Sequence, residues 1–191
     1  MSTEPEPADD PDGRSEGFAG AFAAAAPALL TWARLRVRPE LRSLIEPEDL
    51  VQEIGCRALA NYRRFDSDRG TFRQWLFGFG NRVLLEALRE LGGDFRSGSR
   101  ALVGGVTEAV ALVTTITRRI VRQEITRLLL ERVDELGEEE RALLLYRGLE
   151  EMDYADLAAL LGASEDTVRK RWQRLRDRLR RDPVLAALAA G

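Results

Sequence analysis

The chain has 191 residues, a formal charge of −3 and 45% hydrophobic residues, enough for one or two small domains with apolar cores. It contains no histidine and a single cysteine, Cys56, which excludes the commonest general base, the commonest zinc ligand and any internal disulfide. No other residue set joins a nucleophile to a base, so neither an enzyme nor a resident cofactor or metal is expected.

The opening stretch, MSTEPEPADDPDGRSEG, is acidic and proline-rich, the reverse of a secretory signal, and reads as a disordered leader over residues 1–17. Residues 18–38 make a first helical stretch with an irregularity expected at Pro27. Its FAGAFAAAAPALL run is broken by that proline and followed by arginines, so no segment is expected to reach the length of a membrane span. No membrane insertion is expected, and the lone cysteine suits a reducing, cytoplasmic setting. Pro47 fits the first position of a second helix running to about Arg64. DSDRG (66–70) is a turn, and Thr71 with Gln74 forms a capping box that opens a third helix to about Leu91. GGDFRSGSRALVGG then begins a linker spanning residues 92–117. Within it, residues 106–117 set Val and Thr strand propensity against a helical spacing of Val106, Val110 and Val113, and read as helix or loop.

From Arg118 the spacing predicts four helices, at about 118–136, 138–149, 154–161 and 165–181. The tail 183–191 is a short extra helical turn or a frayed end. The last two helices are the most sharply written. Asp153 is placed to cap the first of them, and Leu157, Ala158, Leu160 and Leu161 supply its apolar side. Gly162 suits the left-handed residue that ends a helix, and Ser164 caps the next, with Glu165 and Asp166 at its positive end. Val168, Trp172, Leu175 and Leu179 recur at helical spacing, leaving Arg169, Lys170, Arg171, Gln173 and Arg174 outward. A helix-turn-helix presents its second helix to a DNA major groove in this way. Charge agrees: residues 131–166 carry twelve acids and three bases, whereas 169–181 carry eight bases and one acid. A positive field is thus confined to one end of an otherwise acidic chain.

The first module is more ambiguous. Asp49, Gln52, Glu53 and Cys56 share one face of the second helix, with Leu50, Ile54, Ala58 and Tyr62 on another. Periodicity alone fits a solvated face opposite a core face. Phe72, Trp75, Leu76, Phe79 and Val83 form an apolar stripe on the third helix. Asn81, Arg82 and Arg89 lie on a different face, where an amide and arginines near aromatics also suit single-strand binding.

RSLIEPEDLVQEIGCRALANYRRFDSDRGTFRQWLFGFGNRVLLEALRE resembles region two of the bacterial sigma-70 family, of the extracytoplasmic-function type, in its DLVQE run, FD…GTF turn, WL pair and N…EALR ending. The part from about Glu124 to Arg180 resembles region four of the same family, with the glycine, turn serine and TVR at the family's offsets. Gly78 and Gly80 depart from the family pattern, and residues 92–117 have no clear counterpart in it.

The resemblance implies an all-α chain of two small helical domains, 18–91 and 118–182, on a flexible linker. It implies a specificity subunit that binds core RNA polymerase and directs recognition of the minus-ten and minus-thirty-five promoter elements. Asp49, Gln52 and Glu53 would dock on the clamp of the polymerase largest subunit. Asn81, Arg82 and Arg89 would face the minus-ten element. Ser164, Thr167, Arg169, Lys170, Arg171 and Arg174 would meet the minus-thirty-five duplex. A monomer when free, and an anti-sigma factor as a further partner, go with this reading. The rival is a dimeric helix-turn-helix regulator, which explains residues 153–181 equally well but leaves DLVQE and FRQWL as coincidence.

Overall fold

The computed structural model describes residues 11–37, 39–92 and 107–188. Among them the chain forms eight α-helices and no strand: α1 (Pro11–Arg36), α2 (Pro47–Ala60), α3 (Phe72–Gly92), α4 (Thr107–Arg122), α5 (Glu124–Asp134), α6 (Glu138–Ala142), α7 (Tyr154–Leu161) and α8 (Glu165–Arg181). Short 3-10 turns follow α1 and α2 and close the C-terminal end at Ala186–Leu188.

α1 runs through Pro27 without a break. The ring leaves the Ala23 carbonyl without its usual donor, but Ala23 is exposed and water can serve it. One turn on, Thr31 Oγ1 donates to the Pro27 carbonyl at 2.9 Å. The irregularity expected at Pro27 is thus a missing backbone hydrogen bond and not a break in the helix. The helix also starts within the expected leader, at Pro11, and residues 1–10 lie outside the described residues. The continuous stretch Glu16–Arg36, in which the most apolar 18 residues have a mean hydropathy of 1.3, is long and apolar enough to cross a membrane, which corrects the expectation that no segment reaches that length. Its apolar side chains are spent on the core, where Phe18, Phe22, Leu29, Leu30, Trp32 and Ala33 are all buried.

α2 and α3 pack on α1, and α4 lies across α1 and α2. The crossing depends on Gly55: a Cβ there would stand 2.7 Å from both the Phe22 ring and a Val113 methyl. Val113, Ile116 and Ile120 bury the inner face of α4. Strand propensity at Val and Thr is a weak prior, and an apolar stripe at helical spacing with somewhere to bury outweighs it. Residues 107–117, placed within the linker by the sequence, are therefore helical, and 93–106 lie outside the described residues. The helix expected over 118–136 is divided, because Gln123 is extended at φ −68°, ψ 131° and separates α4 from α5.

At the far end of α3, Tyr62, Phe65, Phe72, Trp75 and Phe79 join Phe18 in an aromatic cluster with ring centroids 5.0–6.3 Å apart. Edge-to-face and offset contacts of this kind favour aromatic packing. They anchor the turn that precedes α3. The capping box forms as expected, with Gln74 N donating to Thr71 Oγ1 (3.2 Å) and Thr71 N to Gln74 Oε1 (2.8 Å).

The expected helix over 138–149 begins as α6 and then widens into a π-helical stretch, Leu143–Leu149. The extra residue per turn brings Gly148 against Trp172 of α8, where a Cβ would lie 2.8 Å from the indole. α7 and α8 follow as the helix-turn-helix. Gly162 takes the left-handed conformation (φ 61°, ψ 34°), as its position requires. Asp153 occupies the cap position of α7, yet its side chain makes no capping hydrogen bond. Leu185 and Leu188 of the tail are buried.

Candidate nucleic-acid and polymerase interfaces

α8 is built from its cap outward. Ser164 Oγ accepts from the Thr167 amide (3.3 Å) and lies 2.8 Å from Thr167 Oγ1. Val168, Trp172, Leu175 and Leu179 are buried, which fixes the rotation of the helix. Arg169, Lys170, Arg171, Gln173 and Arg174 consequently face solvent. Several of these cations are held by nearby acids. Lys170 pairs with Asp166 at 2.7 Å and Arg169 with Glu165 at 3.8 Å. Arg169 also stacks over Tyr154, 4.6 Å from the ring centroid. Arg171 pairs with Glu139 and Arg178 with Glu140, the latter at 2.7 Å. Burial works against ionisation of Glu140, but the Arg178 hydrogen bond, the Gly137 amide and the Arg178 charge hold its carboxyl below the usual carboxylate range. Exposed pairs of this sort are each worth little. The side chains named for duplex contact are thus presented together on one helix.

The α3 residues are less uniform. Arg82 and Arg89 are exposed, and Leu85 beside them is 53% exposed. At spacings of three, four and seven residues they form one stripe along the helix. Asn81 is half-buried on the adjoining line, and its Oδ1 accepts from Arg36 Nη2 at 3.0 Å. The polar set on α2 is divided. Asp49 is exposed and Gln52 half-exposed, but Glu53 is buried and paired with Arg57, whose other end reaches Glu86 on α3. Cys56 is buried with it, and burial, then the Glu53 charge, push its thiol up to about 11.

Among the described residues no group of three or more His, Cys, Asp or Glu side chains could hold a metal ion. Three residues that the sequence did not single out meet between the two modules. They are Trp32 and Arg36 at the end of α1, and Glu150 after the π-helical stretch. Nothing local marks them, since Glu150 lies more than a hundred residues from both Trp32 and Arg36.

Two family descriptions match the chain, in order. Sigma-70 region 2 matches residues 21–93, and Sigma-70, region 4 matches residues 126–179. The chain belongs to the sigma-70 family. It is similar to the ECF RNA polymerase sigma factor SigW of Bacillus subtilis (strain 168), with 24% identity over 148 residues, covering 74% of this chain and 77% of that protein. No solved structure matches. The region 2 match covers most of α1 and all of α2 and α3, and the region 4 match runs from within the first turn of α5 through most of α8. This sigma factor is of the extracytoplasmic-function type, and it acts in promoter recognition and transcription initiation. Sigma factors are initiation factors rather than enzymes, and they bind core RNA polymerase and promoter DNA.

Proposed function

We propose that α8 reads the minus-thirty-five duplex. In this reading Arg169, Arg171 and Arg174 bond base edges or phosphates, Lys170 holds phosphate, and Ser164 and Thr167 contact the backbone at the helix N-terminus. Asn81, Arg82 and Arg89 of α3 face the minus-ten element and help hold a strand of it open. Asp49 and Gln52 dock on the clamp of the polymerase largest subunit, where a carboxylate and an amide meet arginine through charge-assisted bonds. Glu53 supports that surface through Arg57. Residues 93–106 serve as the tether between modules. The protein is a cytoplasmic monomer when free, open to capture by an anti-sigma factor.

The observation that carries this reading is the presentation of five polar and cationic side chains on one capped, core-anchored helix, opposite an acidic remainder. Reconstituted transcription tests it: core polymerase, this protein and genomic fragments, scored for start sites absent without the protein. Start sites dependent on the protein are expected. Their absence, with a stable dimer on palindromic DNA in size exclusion, would establish a helix-turn-helix regulator instead.

A further inference from the structure

A cavity of about 720 Å³ opens between the start of α3 and the helix-turn-helix. That volume falls within the roughly 300–1,000 Å³ of small-molecule sites. Its walls bring together three guanidiniums from three separate elements: Arg73 of α3, Arg147 of the π-helical stretch and Arg176 of α8. Glu151 is the one carboxylate on the same wall, and it already accepts from Gln74 Nε2 at 2.6 Å. Among the described residues none of the three arginines forms an ion pair. Three cations therefore face one anion across a concave surface, an arrangement that focuses a positive field on whatever enters it.

The forks are also held in place. Arg147 Nη1 donates to the Glu151 and Met152 carbonyls (3.2 and 2.9 Å), and its guanidinium lies 4.6 Å from the Tyr154 ring centroid. Arg73 Nη2 donates to the Gly148 carbonyl at 3.2 Å. Each fork keeps further N–H groups for a ligand, and a side chain already ordered loses little entropy on binding. Burial pulls the Arg73 guanidinium down from its ordinary range, with the Glu151 charge opposing. Arg176 Nε is buried without a hydrogen-bond acceptor, an uncommon state for a donor in a folded protein. Glu151 holds φ at +57°, a strained conformation of the kind that clusters at ligand sites.

We propose that this cavity binds a small phosphorylated ligand carrying at least two negative charges, gripped by Arg73, Arg147 and Arg176. A phosphate presents its oxygens in several directions and can meet forks arriving from three elements, whereas a planar carboxylate engages one fork well. The cavity is larger than a phosphate group fills, and Thr71 and Tyr154 on its wall offer hydroxyls to a second phosphate or to an organic portion. None of the three arginines is among the residues assigned to DNA or polymerase, so the site stands apart from the promoter reading.

Titration calorimetry on the full chain tests it, with ADP, inorganic pyrophosphate and adenosine as probes. ADP is expected to bind saturably and one-to-one, and adenosine not at all. Arg147→Gln and Arg176→Gln are each expected to weaken ADP at least about tenfold, the scale of one charge-assisted hydrogen bond. Arg180→Gln removes the same charge from an exposed position of α8 outside the cavity and is expected to leave ADP affinity unchanged. Pyrophosphate binding as tight as ADP supports the site with the phosphates supplying all recognition; tighter ADP supports it with the organic portion contributing. Thermal unfolding gives a second readout, since ADP should raise the midpoint of wild type and Arg180→Gln but not that of Arg176→Gln. Arg176→Lys keeps the charge and stem without the fork, and is expected to bind ADP more weakly even if Arg176→Gln fails to fold. No saturable binding of ADP or pyrophosphate at millimolar concentration overturns the site. So does wild-type ADP affinity in both Arg176 variants, or an equal loss in Arg180→Gln, which would mark general attraction to the cations of α8.

Discussion

Gly80 on α3 stands against the indole of Trp32 so closely that a Cβ there would lie 3.1 Å from the ring. Trp32 has little room to yield. It is fully buried, edge-on to Phe77 at 6.0 Å, and bonded through Nε1 to Glu150. Two residues earlier, Gly78 is exposed and faces open space. The two glycines that look equally unhelpful to a helix should therefore respond oppositely to alanine. Gly78→Ala is expected to stabilise by about 0.5–1 kcal/mol through helix propensity. Gly80→Ala is expected to destabilise by about 1 kcal/mol, overpacking outweighing the same gain. Urea denaturation of both variants decides it, and shifts of the same sign would refute the account of Gly80.

Arg171 tests the division of labour between the modules. It is exposed on α8 and, among the described residues, pairs with Glu139. Arg171→Ala should weaken promoter duplex binding about tenfold and leave core polymerase affinity unchanged. If the contact is to phosphate, the slope of log K against log salt should also fall by about 1. Equal loss of DNA and polymerase binding would show that α8 does not act as a separate reading head.

On α2 the structure separates two carboxylates that the sequence grouped. Asp49 is exposed, whereas Glu53 is buried against Arg57. Glu53→Ala is expected to cost about 1–2 kcal/mol of stability through the lost charge-assisted bond. Asp49→Ala should leave stability within about 0.5 kcal/mol, as surface substitutions do, while weakening polymerase binding. Calorimetry beside a polymerase pull-down separates the two effects. Normal polymerase binding by the Asp49 variant would remove it from the docking surface.

What was legible in the sequence follows how local each determinant is. The turn at Gly162, the cap at Ser164 and the rotation of α8 depend on residues within a few positions of each other, and all formed as read. The Thr71–Gln74 capping box is equally local. The seat of α4 was not legible, because it depends on Gly55 meeting Phe22 and Val113 from two other helices. Continuity of α1 through Pro27 was missed because a proline reads as a breaker until its neighbourhood is known. The grouping of Glu53 with Asp49 took a shared face for shared exposure, and Arg57 makes the difference. Glu150 carried no signal, since a carboxylate in a connecting turn becomes informative only once Trp32 and Arg36 converge on it.

Cys56 offers a probe that needs neither polymerase nor DNA. Burial, then the charge of Glu53, raise its thiol from 9.0 to about 11 in the folded protein. The thiolate is the species that reacts with alkylating agents. At pH 8 a two-unit shift lowers the thiolate fraction about 100-fold, so iodoacetamide should label the native protein at least that much more slowly than the urea-unfolded chain. The same shift sets a pH dependence of stability. A proton held more tightly in the folded state contributes stability that is fully present below pH 9 and is lost as pH rises through about 11. Unfolding free energy should therefore fall across that window, and the fall should be shallower in Cys56→Ala, which keeps the packing but has no proton to lose. Equal alkylation rates in native and unfolded protein would show that the thiol is not shielded by the fold.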